Sequence, residues 1–479
     1  MKPTIKKLLN RRSFFKRAAA PTAAVAAGSF VVNADLEGAM QSAPQMSRPS
    51  NLKITDMRIA TARAMMRAPI IKLYTNQGLV GLGEVRDGAD KRYALMLKSR
   101  ILGMNPCNVD QIFRRIKQFG GHARQGGGVC GVEMALWDLA GKAYGVPAYQ
   151  MLGGKFRDKV RVYADTTVSR DPAVFADRLL KRKEEKGFKF LKMDLGTRLF
   201  PEDSSKYLTQ PLGERSAWER RSVMHFFTGE ELTPAGVEYL ANFVGVVREA
   251  IGMDIPLAAD HFGHIGLNSC IRLGKALEKY NMAWLEDMVP WQHMELMKKI
   301  TDSVDIPILT GEDIYLKEEF QRLVDTHAVD IVHPDLATSG GLLETKKIGD
   351  LAQEGGVAMA MHFAGTPVSF MANVHCAAAT DNFLALEHHS VDVPFWEDLV
   401  SGPPKPLFNN DGFVHVPDRP GLGVDLVEEV LKEHLAEPGF FEPTPEWDES
   451  PSNDRLWSLN PSPEPTLPRK NAVRKLLDA

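Results

Sequence analysis

Pro256-Leu257-Ala258-Ala259-Asp260, Met282-Ala283-Trp284-Leu285-Glu286 and Ile308-Leu309-Thr310-Gly311-Glu312 share one form: a short apolar run ending in a carboxylate. They recur at equal intervals, each close to the roughly 30 residues of one strand-helix unit. The segments between them, such as 267–280, have helical periodicity. The same theme runs from Val160 to Glu387, with strands expected at 160–165, 190–194, 256–260, 282–286, 308–312, 331–334, 357–362 and 383–387. Helices are expected between them, 341–354 among these. Strands alternating with helices predict a parallel sheet, and eight such units predict a (β/α)8 barrel.

In such a barrel the working residues sit at the C-terminal ends of the strands. Those ends carry Asp165, Lys192 and Asp194, Asp260, Glu286, Glu312, Asp335, His362 and Glu387. Burying so many ionisable groups unpaired is costly, so the barrel mouth is the candidate site. Asp260, Glu286 and Glu312 fall side by side on successive strands. Three convergent carboxylates repel unless a cation neutralises them. Oxygen-only ligands favour a hard divalent ion, Mg2+ with waters completing an octahedron.

Composition bounds the alternatives. The chain has 479 residues, 44% hydrophobic and 25% charged, with a net charge of −3. That balance excludes a mainly disordered, fibrous or membrane-embedded chain and gives no reason to expect a nucleic-acid partner. Cys107, Cys130, Cys270 and Cys376 are scattered without a paired motif, which argues against a disulfide framework or a zinc-thiolate site.

Residues 1–17 hold seven basic residues (Lys2, Lys6, Lys7, Arg11, Arg12, Lys16 and Arg17) and no acid. The paired arginines of Asn10-Arg11-Arg12-Ser13-Phe14-Phe15-Lys16 look like a twin-arginine export signal, which predicts a periplasmic or extracytoplasmic location. The Ala-rich stretch 18–32 is short and broken by Pro21, so no stable membrane span is expected.

Residues 33–50 read as a linker. Strands of an antiparallel sheet are expected at 54–63, 70–75 and 78–84, with Asn76-Gln77-Gly78 supplying turn chemistry. A helical stretch follows and ends at 131–144. Residues 196–233, with Trp218, Phe226 and Phe227, form an insertion after the second barrel strand. Beyond residue 440 the chain is Pro- and acid-rich with little periodicity, as in a strap or a disordered tail.

Five segments then resemble one family. They are Met134-Ala135-Leu136-Trp137-Asp138-Leu139-Ala140-Gly141-Lys142, Gln150-Met151-Leu152-Gly153-Gly154, Trp284-Leu285-Glu286-Asp287, Thr310-Gly311-Glu312-Asp313 and Pro420-Gly421-Leu422-Gly423. Across residues 51–436 the chain resembles the mandelate racemase/muconate-lactonizing branch of the enolase superfamily. The resemblance implies an α/β fold: a modified (β/α)8 TIM-type barrel with an N-terminal α+β capping domain. It implies Mg2+ held by Asp260, Glu286 and Glu312, a small-molecule carboxylate substrate and a homo-oligomer. Members abstract the proton α to a carboxylate, and the superfamily uses a Lys or His base with Mg2+.

The resemblance also assigns acid-base groups. A His–Asp pair is expected at the seventh and sixth strand ends, His362 and Asp335, the Asp orienting the imidazole. His333 is the weaker competitor. Glu387 falls where a family residue donates a hydrogen bond to the enediolate oxygen, while His388 and His389 remain without a role.

Two strands depart from the family pattern. Racemases carry Lys-x-Lys on the second strand; here it reads Lys192-Met193-Asp194, and alternation turns Lys192 and Asp194 to the same side. Asp194 occupies the base position but is a poor base beside a metal and a lysine. That weakens two-base racemisation and favours one-base chemistry from His362, with Lys192 pairing with Asp194 or the substrate carboxylate. Some sugar-acid dehydratases place a leaving-group acid two residues after the first metal ligand; here that position is Phe262. His261 and His264 are candidate substitutes, because Gly263 permits an unusual backbone path.

The expected organisation is 1–50 signal and linker, 51–155 cap, 156–392 barrel, 393–436 a segment returning to the cap, and 437–479 a Pro-rich tail. The expected function is a Mg2+-dependent acid-sugar dehydratase. The rivals are a racemase, epimerase or cycloisomerase with Lys192 as second base, and a non-catalytic exported sugar-acid binding protein. Specificity is expected from loops at 65–70 and 120–128 and from the 196–233 insertion. Gly120-Gly121 and Gly126-Gly127-Gly128 predict mobile backbone near the pocket mouth.

Overall fold

The computed structural model describes residues 48–201, 205–209, 224–409 and 411–449. The twin-arginine stretch, the Ala-rich segment, most of the linker, the centre of the insertion with Trp218, and the tail from 450 lie outside the described residues.

Strands β1 (Ile54–Arg63), β2 (Arg67–Thr75) and β3 (Val80–Glu84) form an antiparallel sheet with Ile59 opposite Ile71. Both faces are covered: Met57, Ile59, Ile71 and Leu73 join the main core, and Ala60, Ala62 and Ile70 a smaller cluster; Gly78 turns the β2–β3 hairpin at φ +81°. The helix Gly127–Tyr144 packs on this sheet and is buried on almost every side. Gly127 and Gly128 belong to this helix and are in tight contact rather than mobile. A Cβ on Gly127 would lie 2.6 Å from the Arg86 backbone nitrogen, and one on Gly128 would lie 2.1 Å from the Tyr93 carbonyl oxygen. At Gly126 and Gly120 a Cβ would meet Thr338 and Tyr315, each at 2.5 Å. Close packing, not freedom, is what these glycines provide.

All eight expected barrel strands are present. They begin with β4 (Lys159–Ala164) and β5 (Leu191–Asp194). The insertion adds a hairpin, β6 (Tyr207–Thr209) with β7 (Glu230–Leu232). The barrel resumes with β8 (Leu257–Asp260), β9 (Leu285–Glu286), β10 (Ile308–Thr310), β11 (Ile331–Val332), β12 (Ala358–Met361) and β13 (Phe383–His388). Every neighbouring pair is parallel, and β13 pairs with β4 to close the cylinder, Glu387 opposite Tyr163. Tyr163, Phe190, Trp284, Leu309, Ile331 and three alanines fill its interior.

The strands end sooner than the apolar runs suggest. Asp287 at φ +49° and Gly311 at φ +142° leave strand conformation immediately after Glu286 and Thr310. Glu312, Asp335 and His362 therefore stand just past their strands, with Asp335 and His362 joined by an isolated parallel bridge.

After the barrel, β14 (Val400–Ser401) is later joined by β17 (Asp425–Leu426), and the hairpin β15 (Phe408–Asn409)–β16 (Phe413–His415) extends the sheet beside β4. The last strand, β18 (Leu435–Phe440), pairs with β1 and becomes the edge of the cap sheet. Residues 437–440 are thus cap strand rather than Pro-rich tail, held partly by Thr61 Oγ1 donating to Glu437 Oε1 at 2.7 Å.

The Met134–Lys142 motif binds these parts together. Asp138 accepts from Leu82 N–H of the cap sheet and from Leu422 N–H, each at 2.8 Å. Glu133 accepts from Leu342 N–H at 2.7 Å and Leu343 N–H at 3.2 Å. It so caps the barrel helix Leu342–Glu354, which has no capping side chain of its own.

Candidate active site

Lys192 is completely buried at the centre of the barrel mouth. Its Nζ lies 2.6 Å from Glu387 Oε1, 3.0 Å from Asp260 Oδ2 and 3.4 Å from both Glu286 oxygens. Burial alone would favour a neutral amine, but Glu286, Glu387 and Asp260 outweigh it and hold the ammonium well above its ordinary pKa. Asp260 has the converse balance: burial raises its pKa, and Lys192 and His261 pull it below the carboxylate range.

The three expected metal ligands line this mouth, in two groups. Oxygens of Glu286, Asp287 and Glu312 lie within 4.8 Å of one another, whereas the Asp260 carboxylate groups with Asp194 and His261. Asp287 is the addition; its side chain is fixed by Thr310 Oγ1 donating to Oδ1 at 2.5 Å. The Glu286, Asp287 and Glu312 group offers carboxylate oxygens alone, and this chemistry fits a hard divalent cation.

His362, just past β12, touches the same cluster. Its Nδ1 lies 2.6 Å from Asp335 Oδ2, and its Nε2 lies 3.0 Å from Glu312 Oε2. Asp335 is fixed in turn by accepting from Ala337 N–H at 2.6 Å, as the N-cap of the short helix Leu336–Ser339. Burial disfavours the imidazolium, but Glu312 and Asp335 together raise the His362 pKa well above its usual value.

Beneath this layer runs a buried polar network. The Tyr163 hydroxyl lies 2.9 Å from Glu387 Oε2 and 2.8 Å from His333 Nε2, and His333 Nδ1 reaches Glu286 Oε1 at 3.1 Å. His333 thus stays within the barrel floor. His389 Nε2 lies 2.8 Å from Glu387 Oε1, and its Nδ1 is 3.5 Å from Asp165 Oδ2.

The remaining predicted residues lie toward the insertion. Asp194 pairs with Arg198 and with His261 Nδ1 at 3.1 Å, not with Lys192. His261, at φ +60°, also lies 3.0 Å from Asp260 Oδ2; Asp260 is the chief cause that raises its pKa to about 9. His264 sits one step outward, its ring edge-on to Phe226 at 5.3 Å. Phe262 is core, 1% exposed.

The sequence reading passes over Arg86. It follows β3 in the cap and is 1% exposed, yet it enters the barrel site. Its guanidinium pairs with Asp335, lies 3.1 Å from His362 Nδ1, 3.0 Å from Asp87 Oδ1 and 3.6 Å from Glu312 Oε1. The available signal is the charged pair Arg86-Asp87 directly after a cap strand, which no local pattern links to a barrel histidine. His389 and Asp165 are visible only as a doubled histidine and a strand-end acid.

A closed parallel barrel with an antiparallel cap and acids clustered at its strand ends is the architecture of the enolase superfamily. The chain belongs to the mandelate racemase/muconate-lactonizing enzyme family of the enolase superfamily. Residues 40–153 match the family's N-terminal domain, and residues 174–430 match the enolase C-terminal domain-like family. A D-xylonate dehydratase of Haloferax volcanii is 34% identical over 394 residues, covering 80% of this chain and 89% of the relative. A mandelate racemase/muconate lactonizing enzyme-like protein from Rubrobacter xylanophilus superposes with a TM-score of 0.72 at 30% identity, covering 81% of this chain and 98% of that one. The 3,6-anhydro-D-galactonate cycloisomerase from Zobellia galactanivorans superposes with a TM-score of 0.66 at 25% identity, covering 80% and 100%. Among the described residues, no helix is long and apolar enough to cross a membrane.

Proposed function

We propose that the protein is a Mg2+-dependent acid-sugar dehydratase, converting a sugar acid to its 2-keto-3-deoxy product. The observation that carries this reading is His362, held by Asp335 on one nitrogen and facing the carboxylate cluster with the other. Similarity to a D-xylonate dehydratase over most of both chains supports the sugar-acid class.

Asp260, Glu286 and Glu312, with Asp287 beside them, would hold the cation. When bound it supplies Lewis-acid stabilisation of the charge that develops on the substrate carboxylate. His362 in its neutral form takes the proton from the α carbon at Nε2. The C–H electrons form a double bond between C2 and C3, and the C3–O bond breaks. The departing hydroxyl takes up a proton, for which the imidazolium of His362 is the donor, and leaves as water. The resulting enol tautomerises to the ketone. Asp335 and Arg86 orient the imidazole throughout.

Lys192 bears on the choice between dehydration and the two-base alternatives. Three carboxylates hold it as an ammonium, and Asp194 is engaged by Arg198 and His261. Both features favour one-base chemistry. The likeness to a cycloisomerase keeps one-base isomerisation as the second reading. A purely binding role has no use for the His362–Asp335 pair.

The test is α-proton exchange and water loss in D2O across a panel of aldonates, uronates and aldarates. Activity that requires Mg2+, is abolished by EDTA and is lost in His362→Asn supports the proposal. Exchange without loss of water moves the assignment to isomerisation, and silence across the panel overturns both. Export by the twin-arginine route is part of the same proposal and rests on Arg11-Arg12 alone. Changing both to lysine should retain the protein in the cytoplasm on cell fractionation.

A further inference from the structure

Three segments meet beside the carboxylate cluster: the turn after β5, the inserted strand β7 and the loop after β8. They enclose a cavity of about 120 Å³ lined by Thr197, Arg198, Glu230, His261, Gly263 and His264. His261 connects it to the site, since its Nδ1 lies 3.0 Å from Asp260 Oδ2.

Among the described residues, Glu230 Oε2 and His264 Nδ1 are buried here without a hydrogen-bond partner. Glu230 is only 7% exposed. Its backbone is stitched to the β8 loop, Glu230 N–H donating to the His264 carbonyl at 3.2 Å and Gly266 N–H to the Glu230 carbonyl at 3.3 Å. A Cβ at Gly263, where φ is +92°, would lie 2.9 Å from Thr197 Oγ1 and 3.2 Å from Glu230 Oε2. The glycine therefore leaves open the space onto which both oxygens face. A buried carboxylate oxygen without a donor is costly, so a ligand that brings O–H donors completes the site.

We infer that this cavity is the subsite for the hydroxyl-bearing tail of the substrate, and that it selects aldonates over aldarates. The inference rests on the sugar-acid reading above. An aldonate ends in a neutral CH2OH that donates to Glu230. An aldarate ends in a second carboxylate, which brings no hydrogen to donate to Glu230. The two cationic side chains of the lining already have carboxylate partners, Arg198 with Asp194 and His261 with Asp194 and Asp260. The volume admits several water-sized groups, on the order of the last two or three carbons of a five- or six-carbon acid.

Matched pairs that differ only at C6 provide the test: D-gluconate with D-glucarate, and D-galactonate with galactarate. Wild type should process one aldonate at least about ten-fold better than its aldarate partner. Glu230→Gln should raise KM for that aldonate about ten-fold, leave kcat within about two-fold and narrow the preference. Thr197→Val, which removes a hydroxyl at constant size, should raise KM in the same direction and carries the test if Glu230→Gln does not fold. Calorimetry of the same acids with Mg2+ and His362→Asn reads binding without turnover. Turnover with KM unchanged in the variants, or equal use of aldarates, overturns this inference and leaves the dehydratase reading intact. No exchange and no binding with any pair overturns both.

Discussion

Arg86 of the cap and His362 of the barrel meet on one carboxylate, that of Asp335. Asp87 and Glu312 also lean on the same guanidinium. Removing this cation strands buried negative charge. Arg86→Met should cost about 3–5 kcal/mol of stability in urea melts, and with it the activity. Arg86→Lys should recover little, because an ammonium cannot serve several carboxylates with a planar fork.

Lys192 balances Asp260, Glu286 and Glu387. Lys192→Met should lower the melting temperature of the metal-free protein, and added Mg2+ should stabilise the variant more than wild type. Equal Mg2+-induced shifts in thermal melts would contradict this balance of charge.

Gly127→Ala places a methyl group 2.6 Å from the Arg86 backbone nitrogen. The expected result is a shifted Arg86, a loss of about 1–3 kcal/mol from overpacking, and reduced turnover with little change in KM. A crystal structure of the variant and steady-state kinetics check it.

His388 is buried against Trp396 and Phe408, with ring centroids at 4.5 and 4.7 Å, and burial lowers its pKa to about 3. His375, also lowered by burial, sits at about 4. The unfolded chain binds protons at both below about pH 6.5, and the folded chain does not. Each therefore removes up to about 1.4 kcal/mol of stability per pH unit as pH falls from 6.5 toward these values. His388→Phe should halve the contribution of this pair, read as a shallower dependence of urea midpoints between pH 6.5 and 4.5.

The alternation of apolar runs and strand-end acids was enough to read the barrel, because each unit is local and periodic. The candidate positions were legible near strand ends: Asp260 and Glu286 close β8 and β9, Glu387 is one residue short of the end of β13, and Lys192 two short of the end of β5. The site was not legible where the contact joins distant segments. Arg86 reaches His362 across 276 positions of chain, and no periodicity records that. The glycines at 126–128 misled for a related reason: a missing side chain reads as freedom until the neighbouring backbone is seen.

The pairing of β18 with β1 sets an order on the molecule's assembly. The cap sheet takes three strands from the beginning of the described chain and its fourth from the far side of the barrel. During synthesis the edge of β1 stays open until residues 435–440 emerge. The cap that delivers Arg86 is therefore completed only after all eight barrel strands have been made. A chain stopped short of residue 435 would leave a bare strand edge, an invitation to self-association.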